Sequence, residues 1–193
     1  MSRSRFVAIV LAAGEGTRLN SARPKVLHDV AGQPMIRHVL DALAPLRPAE
    51  TVVVLGRGMA DVAAAVAPAG SVIQSPPRGT ADAVRAARPL VADRLVAGDI
   101  DCVLVLFGDT PLLRSETIAA LLEARRRKPA AAVAVAGMRP ADPGPYGRLV
   151  QDAGGALLRI VEAKDASADE RAIGLCNGGI MAIEGRHLFS LLD

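Results

Sequence analysis

Two glycines and two cations lie close together near the start of the sequence. Gly14 and Gly16 are separated by one residue, and Arg18 and Lys25 follow within a short distance. Glycine lets the backbone turn sharply and lets a ligand approach the main chain, and successive N–H groups in such a turn form a concavity that suits anions. The pattern therefore predicts a site for a phosphate-rich ligand. A simple turn with solvated charges is the alternative.

The spacing of this loop matches neither of two common phosphate-binding motifs. A P-loop needs Lys followed by Ser or Thr after its last glycine, whereas Gly16 is followed by Thr17 and Arg18. The dinucleotide-binding fingerprint needs a third small residue at the position that Leu19 occupies. The loop is glycine-rich and basic, but it belongs to neither class.

A carboxylate follows an apolar run in the middle of the sequence. Asp109 comes after Cys102–Phe107 and Gly108. Mg²⁺ is usually held by one or two protein carboxylates together with substrate phosphates, so Asp109 is a candidate metal ligand. A turn-capping role before Pro111 is the alternative.

Buried strands alternate with helices over the first two thirds of the sequence. Apolar runs predict strands at 6–11, 51–55, 71–74 and 102–107, and helices are predicted at 34–43, 59–66, 79–88 (with Thr80 as N-cap) and 115–127. This alternation is typical of an α/β fold with a mostly parallel sheet. Ligands of such sheets bind beyond the carboxyl ends of the strands, where the glycine loop, Gln74 and Asp109 are all expected.

The last third of the sequence predicts antiparallel strands appended to the parallel sheet. The predicted elements are a strand at 131–138, a hairpin of 146–151 and 157–162 joined by 152–155, a strand at 175–183 and a helix at 185–192. We expect residues 1–193 to form one domain. Because the sequence stops within a helical stretch, we expect it to be truncated at its C-terminal end.

The amino-acid composition argues against nucleic-acid-binding and membrane-spanning proteins. The chain has 193 residues, a net charge of +3, three Phe, one Tyr and no Trp. With so few rings to stack on bases, nucleic acid is not an expected partner. No apolar segment reaches the length of a transmembrane helix, so no membrane partner is expected either. Cys102 and Cys176 are widely separated and are expected as buried free thiols in a reducing compartment, which predicts a cytoplasmic protein.

The motifs together resemble a known enzyme family. Leu11–Arg18 followed by Pro24-Lys25 is similar to the signature of sugar-1-phosphate nucleotidylyltransferases. The segments Lys25–His28 and Ala31–Met35 narrow the resemblance to the N-terminal uridylyltransferase domain of the bacterial bifunctional N-acetylglucosamine-1-phosphate uridylyltransferases / glucosamine-1-phosphate acetyltransferases. Later segments also match in order: Gln74 with Gly79-Thr80, Phe107-Gly108-Asp109, Tyr146-Gly147-Arg148, Glu162 with Lys164–Ala166, and Asn177–Gly179.

The resemblance implies a fold and a reaction. The implied fold is a Rossmann-like (GT-A type) three-layer αβα sandwich. The implied reaction transfers a uridylyl group from UTP to N-acetylglucosamine 1-phosphate, giving UDP-N-acetylglucosamine and pyrophosphate. It further implies that Arg18 and Lys25 are catalytic and that Asp109 binds Mg²⁺. Arg18 is expected to stabilise the leaving pyrophosphate, and Lys25 to hold the attacking and transferring phosphates. The implied substrate-binding residues are Leu11, Ala12, Ala13, Gly14, Lys25, Gln74, Gly79, Thr80, Phe107, Gly108, Asp109, Gly147, Glu162 and Asn177.

The sequence departs from the family pattern at a few positions. Gly79-Thr80-Ala81-Asp82-Ala83 stands where the family usually has Gly-Thr-Gly-His-Ala, and Pro145 replaces a usual Thr. The resemblance also implies a second metal ligand, an acetyltransferase β-helix and a trimer built through that β-helix, all beyond residue 193. We therefore expect this chain to bind UTP but to turn over slowly. A nucleotidylyltransferase for another sugar 1-phosphate, or a non-catalytic nucleotide-sugar-binding subunit, is the alternative.

Overall fold

The computed structural model describes residues 5–14, 21–127 and 131–193. Its strands are β1 (Phe6–Leu11), β2 (Asp29–Val30), β3 (Gln33–Pro34), β4 (Glu50–Leu55), β5 (Gly70–Ile73), β6 (Cys102–Phe107), β7 (Val133–Met138), β8 (Arg148–Gln151), β9 (Leu157–Val161) and β10 (Cys176–Glu184). Its α-helices are α1 (Met35–Leu43), α2 (Ala60–Val66), α3 (Thr80–Ala86), α4 (Arg88–Val96), α5 (Ser115–Arg126), α6 (Ala168–Arg171) and α7 (Leu188–Leu192). Short 3-10 turns cover Lys25–Leu27, Ala44–Leu46 and Gly185–His187. Within the described ranges, no helix has both the length and the apolar character needed to cross a bilayer.

Contacts divide the chain into two units. The first comprises the residues up to Ala134 together with Met181–Asp193, and the second comprises Val135–Ile180. That residues 1–193 form one domain stays a prediction.

Strand β1 lies in the middle of the parallel sheet of the first unit. It pairs with β4 on one side and with β6 on the other, and β5 pairs with β4; all three pairings are parallel. Residues Met181–Glu184 of β10 pair with β6 in the antiparallel direction. The predicted mixed, mostly parallel sheet of an α/β fold is therefore confirmed.

Burial explains why β1 is apolar throughout. Val7 and Ile9 belong to a core cluster that includes Val84 of α3 and Val91 of α4. Phe6 is also buried, although successive side chains of a strand point to opposite faces. Both faces of the strand are therefore covered, which is the situation that produces uninterrupted apolar runs in parallel sheets.

The helix predicted at 79–88 is in fact two helices. α3 ends at Ala86, and α4 begins at Arg88 with Pro89 in its first turn. Proline lacks an N–H, but the first turn of a helix has no intrahelical acceptor for one, so proline is well placed at a helix start. The expectation that Thr80 is the N-cap is also wrong. Gly79 is the N-cap, with φ +106°, a conformation that favours glycine.

The second unit contains the predicted hairpin. β8 and β9 pair antiparallel, and the turn between them is closed by the N–H of Asp152, which donates to Ala156 O at 2.9 Å. The buried guanidinium of Arg148 donates to the carbonyl oxygens of Gly144 and Arg171, which fixes the loop that precedes β8. The short helix α6 was not predicted, although it begins with a capping box of Ser167 and Glu170 that is readable in sequence as Ser-x-x-Glu.

Burial of Cys102 makes the stability of the fold sensitive to alkaline pH. Both cysteines are buried free thiols, as predicted, and burial raises the pKa of Cys102 from 9.0 to about 11. Since the thiol ionises more readily in the unfolded chain, the free energy of unfolding should fall by on the order of 2–3 kcal/mol as the pH rises through this interval. Below the pKa of the thiol in the unfolded chain, ionisation of Cys102 should not change the free energy of unfolding. Denaturant unfolding at a series of pH values measures the fall, which should be smaller in Cys102→Ala; equal falls in both proteins would contradict the prediction.

Candidate functional site

A cavity of about 540 Å³ lies at the carboxyl ends of β1, β5 and β6 in the first unit. Its lining residues end or follow these strands, lie at or near the start of α3, or belong to the 3-10 turn that starts at Lys25. They are Leu11, Ala12, Ala13, Gly14, Lys25, Val26, Gln74, Pro77, Gly79, Thr80, Ala83, Phe107 and Asp109. The cavity thus brings together the residues predicted from the sequence for the nucleotide and the metal, apart from Gly108 and Arg18. Arg18 lies outside the described residues.

Main-chain hydrogen bonds fix the cavity wall after β1. The N–H of Ala12 donates to Val54 O at 2.8 Å, and the N–H of Gly108 donates to Leu11 O at 2.9 Å. A Cβ on Gly108 would lie 3.3 Å from both Leu11 O and Ile36 Cδ1. Gly108 therefore packs closely behind the wall and does not line the cavity. The N–H of Ala12 is bonded to β4, so it does not donate to a ligand in the cavity.

An ion pair lies in the cavity. Lys25 Nζ donates to Asp109 Oδ2 at 2.6 Å, and the two side chains are 40% and 30% exposed. In the turn that follows β6, the hydroxyl of Thr110 donates to Phe107 O at 2.8 Å. Among the described residues, the side-chain hydrogen bond of Asp109 is made with Lys25 and not with an N–H of this turn, which favours the functional interpretation of Asp109 over the capping one. The sequence predicted a role for each residue but not their contact.

Gln74 connects the end of β5 to the start of α3. It is 4% exposed, and its main-chain N–H donates to Leu55 O at 2.8 Å. Its side-chain Nε2 donates to Gly79 O at 3.0 Å and to Asp82 Oδ2 at 2.9 Å. The sequence analysis noted Asp82 only as a departure from the family pattern; the structure places it in direct contact with a predicted nucleobase-binding residue.

The cavity fits a magnesium ion that depends on its substrate for further ligands. Within the described residues, no group of three or more His, Cys, Asp or Glu side chains could enclose a metal. Asp109 provides one partly exposed carboxylate at the cavity wall. Because Mg²⁺ often takes only one or two carboxylates and completes its octahedron with water and phosphate oxygens, this donor set suits a Mg²⁺–nucleotide complex.

The second unit brings its three predicted site residues together. The N–H of Asn177 donates to Gly147 O at 2.8 Å, and a Cβ on Gly147 would lie 3.5 Å from Glu162 Oε1. The side chain of Asn177 accepts the N–H of Gly179 at 2.9 Å. Gly147 lies just before β8 and Glu162 just after β9, so pairing of these strands makes the two residues neighbours.

Comparison with known proteins identifies the family. A family model described as the MobA-like NTP transferase domain matches residues 8–172. The chain belongs to the MobA-like NTP transferase family. The matched range of this NTP transferase contains the glycine loop, Lys25, Asp109 and two site residues of the second unit, Gly147 and Glu162, whereas Asn177 follows it.

Relatives of this NTP transferase confirm the resemblance found in the sequence. Over 98% of its length it is 51% identical to the bifunctional protein GlmU of Rhodospirillum rubrum, of which it covers 41%. It is 47% identical to the bifunctional protein GlmU of Paramagnetospirillum magneticum, over its whole length and 42% of that protein. The chain therefore spans about two fifths of the length of these relatives.

Solved structures confirm the fold of this NTP transferase. A CMP:2-keto-3-deoxy-manno-octonic acid synthetase complexed with CTP matches 98% of the chain and 79% of its own, with a TM-score of 0.68 and 23% identity. A structure described as a glucose-1-phosphate thymidylyltransferase from Bacillus anthracis matches 97% of the chain and 75% of its own, with a TM-score of 0.73 and 18% identity. The Rossmann-like nucleotidyltransferase fold predicted from the sequence is confirmed.

Proposed function

We propose that the chain transfers a uridylyl group from UTP to N-acetylglucosamine 1-phosphate. A phosphate oxygen of the sugar phosphate attacks the α-phosphorus of UTP. A new P–O bond forms, the bond from the α-phosphorus to the bridging oxygen breaks, and pyrophosphate leaves with that electron pair. The observation that carries the proposal is the Lys25–Asp109 pair, held in a cavity at the strand ends of a family member.

The chemistry needs positioning and charge neutralisation more than proton transfer. The attacking phosphate is already an anion, so a strong general base is not required, and catalysis by orientation and electrostatic stabilisation is sufficient. Lys25 holds the attacking and transferring phosphates through its ammonium group. The N–H groups of Ala13 and Gly14 approach the nucleotide phosphates, whereas that of Ala12 is used by β4. Arg18 neutralises the leaving pyrophosphate.

Asp109 holds Mg²⁺ in this proposal. When bound, the ion neutralises charge on the phosphate oxygens. Gln74, Gly79 and Thr80 surround the nucleobase, while Gly147, Glu162 and Asn177 bind the sugar.

A cytoplasmic location belongs to the proposal because buried free thiols are typical of reducing compartments. Trimerisation, which the resemblance implies for full-length family members, stays a prediction.

Calorimetric titration and a pyrophosphate-release assay test the function. In the presence of Mg²⁺ the chain should bind UTP more tightly than ATP or CTP, and it should release pyrophosphate with N-acetylglucosamine 1-phosphate in preference to glucose 1-phosphate and mannose 1-phosphate. Preference for another sugar phosphate would change the assigned acceptor. UTP binding without pyrophosphate release from any acceptor would support a binding subunit, and equal binding of ATP and UTP by the folded chain would overturn the uridylyltransferase proposal.

A further inference from the structure

The hydrogen bonds of Gln74 determine which way its amide is turned. Nε2 donates to two oxygens, Gly79 O at 3.0 Å and Asp82 Oδ2 at 2.9 Å. A carbonyl and a carboxylate are acceptors only, so the side of the amide that faces them has to be the NH₂ group. A turned amide would place Oε1 against both of these oxygens and would lose both hydrogen bonds.

Asp82 is itself held at this position. It lies in the first turn of α3, its side chain is 26% exposed, and its Oδ1 is 3.7 Å from Arg85 Nη1, three residues further along the helix. Arg85 thus lies beside Oδ1, while Oδ2 accepts the hydrogen bond from Gln74. Both atoms of the carboxylate therefore have partners in the first unit.

We propose that Asp82 is a positioning residue that sets base specificity by locking the Gln74 amide, so that Oε1 is the atom which Gln74 presents to a nucleobase. Gln74 lines the cavity, and its NH₂ group is used by Gly79 and Asp82, so Oε1 remains to contact a ligand. A fixed acceptor complements a ring N–H, which uracil carries at N3. It opposes the unprotonated N3 of cytosine, because two acceptors would then face each other. This inference rests on the proposed function and assigns its nucleobase discrimination to a residue that departs from the family pattern.

Asp82→Asn tests whether Asp82 fixes the orientation of the Gln74 amide, and it changes the shape of the side chain very little. An asparagine can turn either its oxygen or its NH₂ group toward Gln74, so only Gly79 O still favours one orientation of the amide, and that orientation is held less firmly. The ratio of UTP to CTP affinity, measured by calorimetry, should fall about three- to tenfold, the effect expected of one neutral hydrogen bond. N3-methyl-UTP lacks the N3–H, so its disadvantage relative to UTP should shrink by a similar factor. Asp82→Ala, which removes the carboxylate altogether, should shift both ratios in the same direction.

Asp61→Asn is the matched control, because Asp61 is also an acidic residue in the first turn of a short helix of this unit, and it is exposed. It should leave both ratios unchanged. Circular dichroism should show that both Asp82 variants are folded. If the unaltered chain prefers UTP and the folded variants keep that preference, the proposed role of Asp82 is wrong and the proposed function stands. If the unaltered chain binds UTP and ATP equally, both the proposed function and the proposed role of Asp82 are wrong.

Discussion

Asp109→Asn should lower the magnesium-dependent rate of pyrophosphate release by at least about a hundredfold, because neutralising the phosphates is expected to supply several kcal/mol of transition-state stabilisation. Asparagine keeps the shape of the side chain but lacks the negative charge that a divalent cation prefers. The rate should be measured over a titration of Mg²⁺ at saturating UTP. A shift to higher Mg²⁺ concentrations should accompany the loss.

The fold should survive this substitution. Both members of the Lys25–Asp109 pair are partly exposed, and ion pairs in such positions stabilise proteins by about 0–1 kcal/mol. Asp93→Asn, on the exposed side of α4, is a suitable control and should retain full activity. An Asp109→Asn protein that keeps the normal response to Mg²⁺ would show that the ion is held elsewhere.

Lys25→Met should produce two changes of opposite sign. Turnover should fall about 10²- to 10³-fold, the usual effect of removing one group that stabilises transition-state charge. In the absence of nucleotide, however, Mg²⁺ should bind more tightly, because Asp109 Oδ2 no longer has an ammonium group at 2.6 Å competing for it. Pyrophosphate release measures the first change, and calorimetric titration with MgCl₂ measures the second.

Arg23→Met controls for the general loss of a positive charge, since Arg23 is exposed and pairs with Asp29 at 3.5 Å. It should alter neither quantity appreciably. Weaker Mg²⁺ binding in Lys25→Met, or normal turnover, would contradict the assignment of Lys25 and Asp109 to one phosphate-binding site.

The sequence predicted the elements that place the cavity more accurately than the contacts inside it. The bounds of β1 and β6 agree with the prediction, because each is an uninterrupted apolar run that begins directly after a charged residue and ends before small residues. Parallel pairing then brings Gly14 and Asp109 to the same edge of the sheet. The cavity could therefore be anticipated from strand ends alone.

The side-chain pairings in the cavity could not be predicted in this way. Lys25 and Asp109 are 84 positions apart, and no periodicity in the sequence relates a 3-10 turn to a residue after β6. The Gln74–Asp82 bond depends on how the loop between β5 and α3 folds back, for which Gly79 has a positive φ. The roles assigned to the site residues stay predictions, those of Lys25, Asp109 and Gln74 included.

The position of β1 in the sheet has a consequence for synthesis on the ribosome. The strand is made well before its partner β6, since its register pairs Phe6 with Cys102 and Leu11 with Phe107. Pairings between such distant segments form slowly, because the loop-closure entropy is lost before the contacts are made. One hydrogen-bonding edge of β1 therefore stays unpaired until β6 has been made, and unpaired strand edges are prone to associate with other chains. The cavity itself can close only after the nascent chain has emerged as far as Asp109.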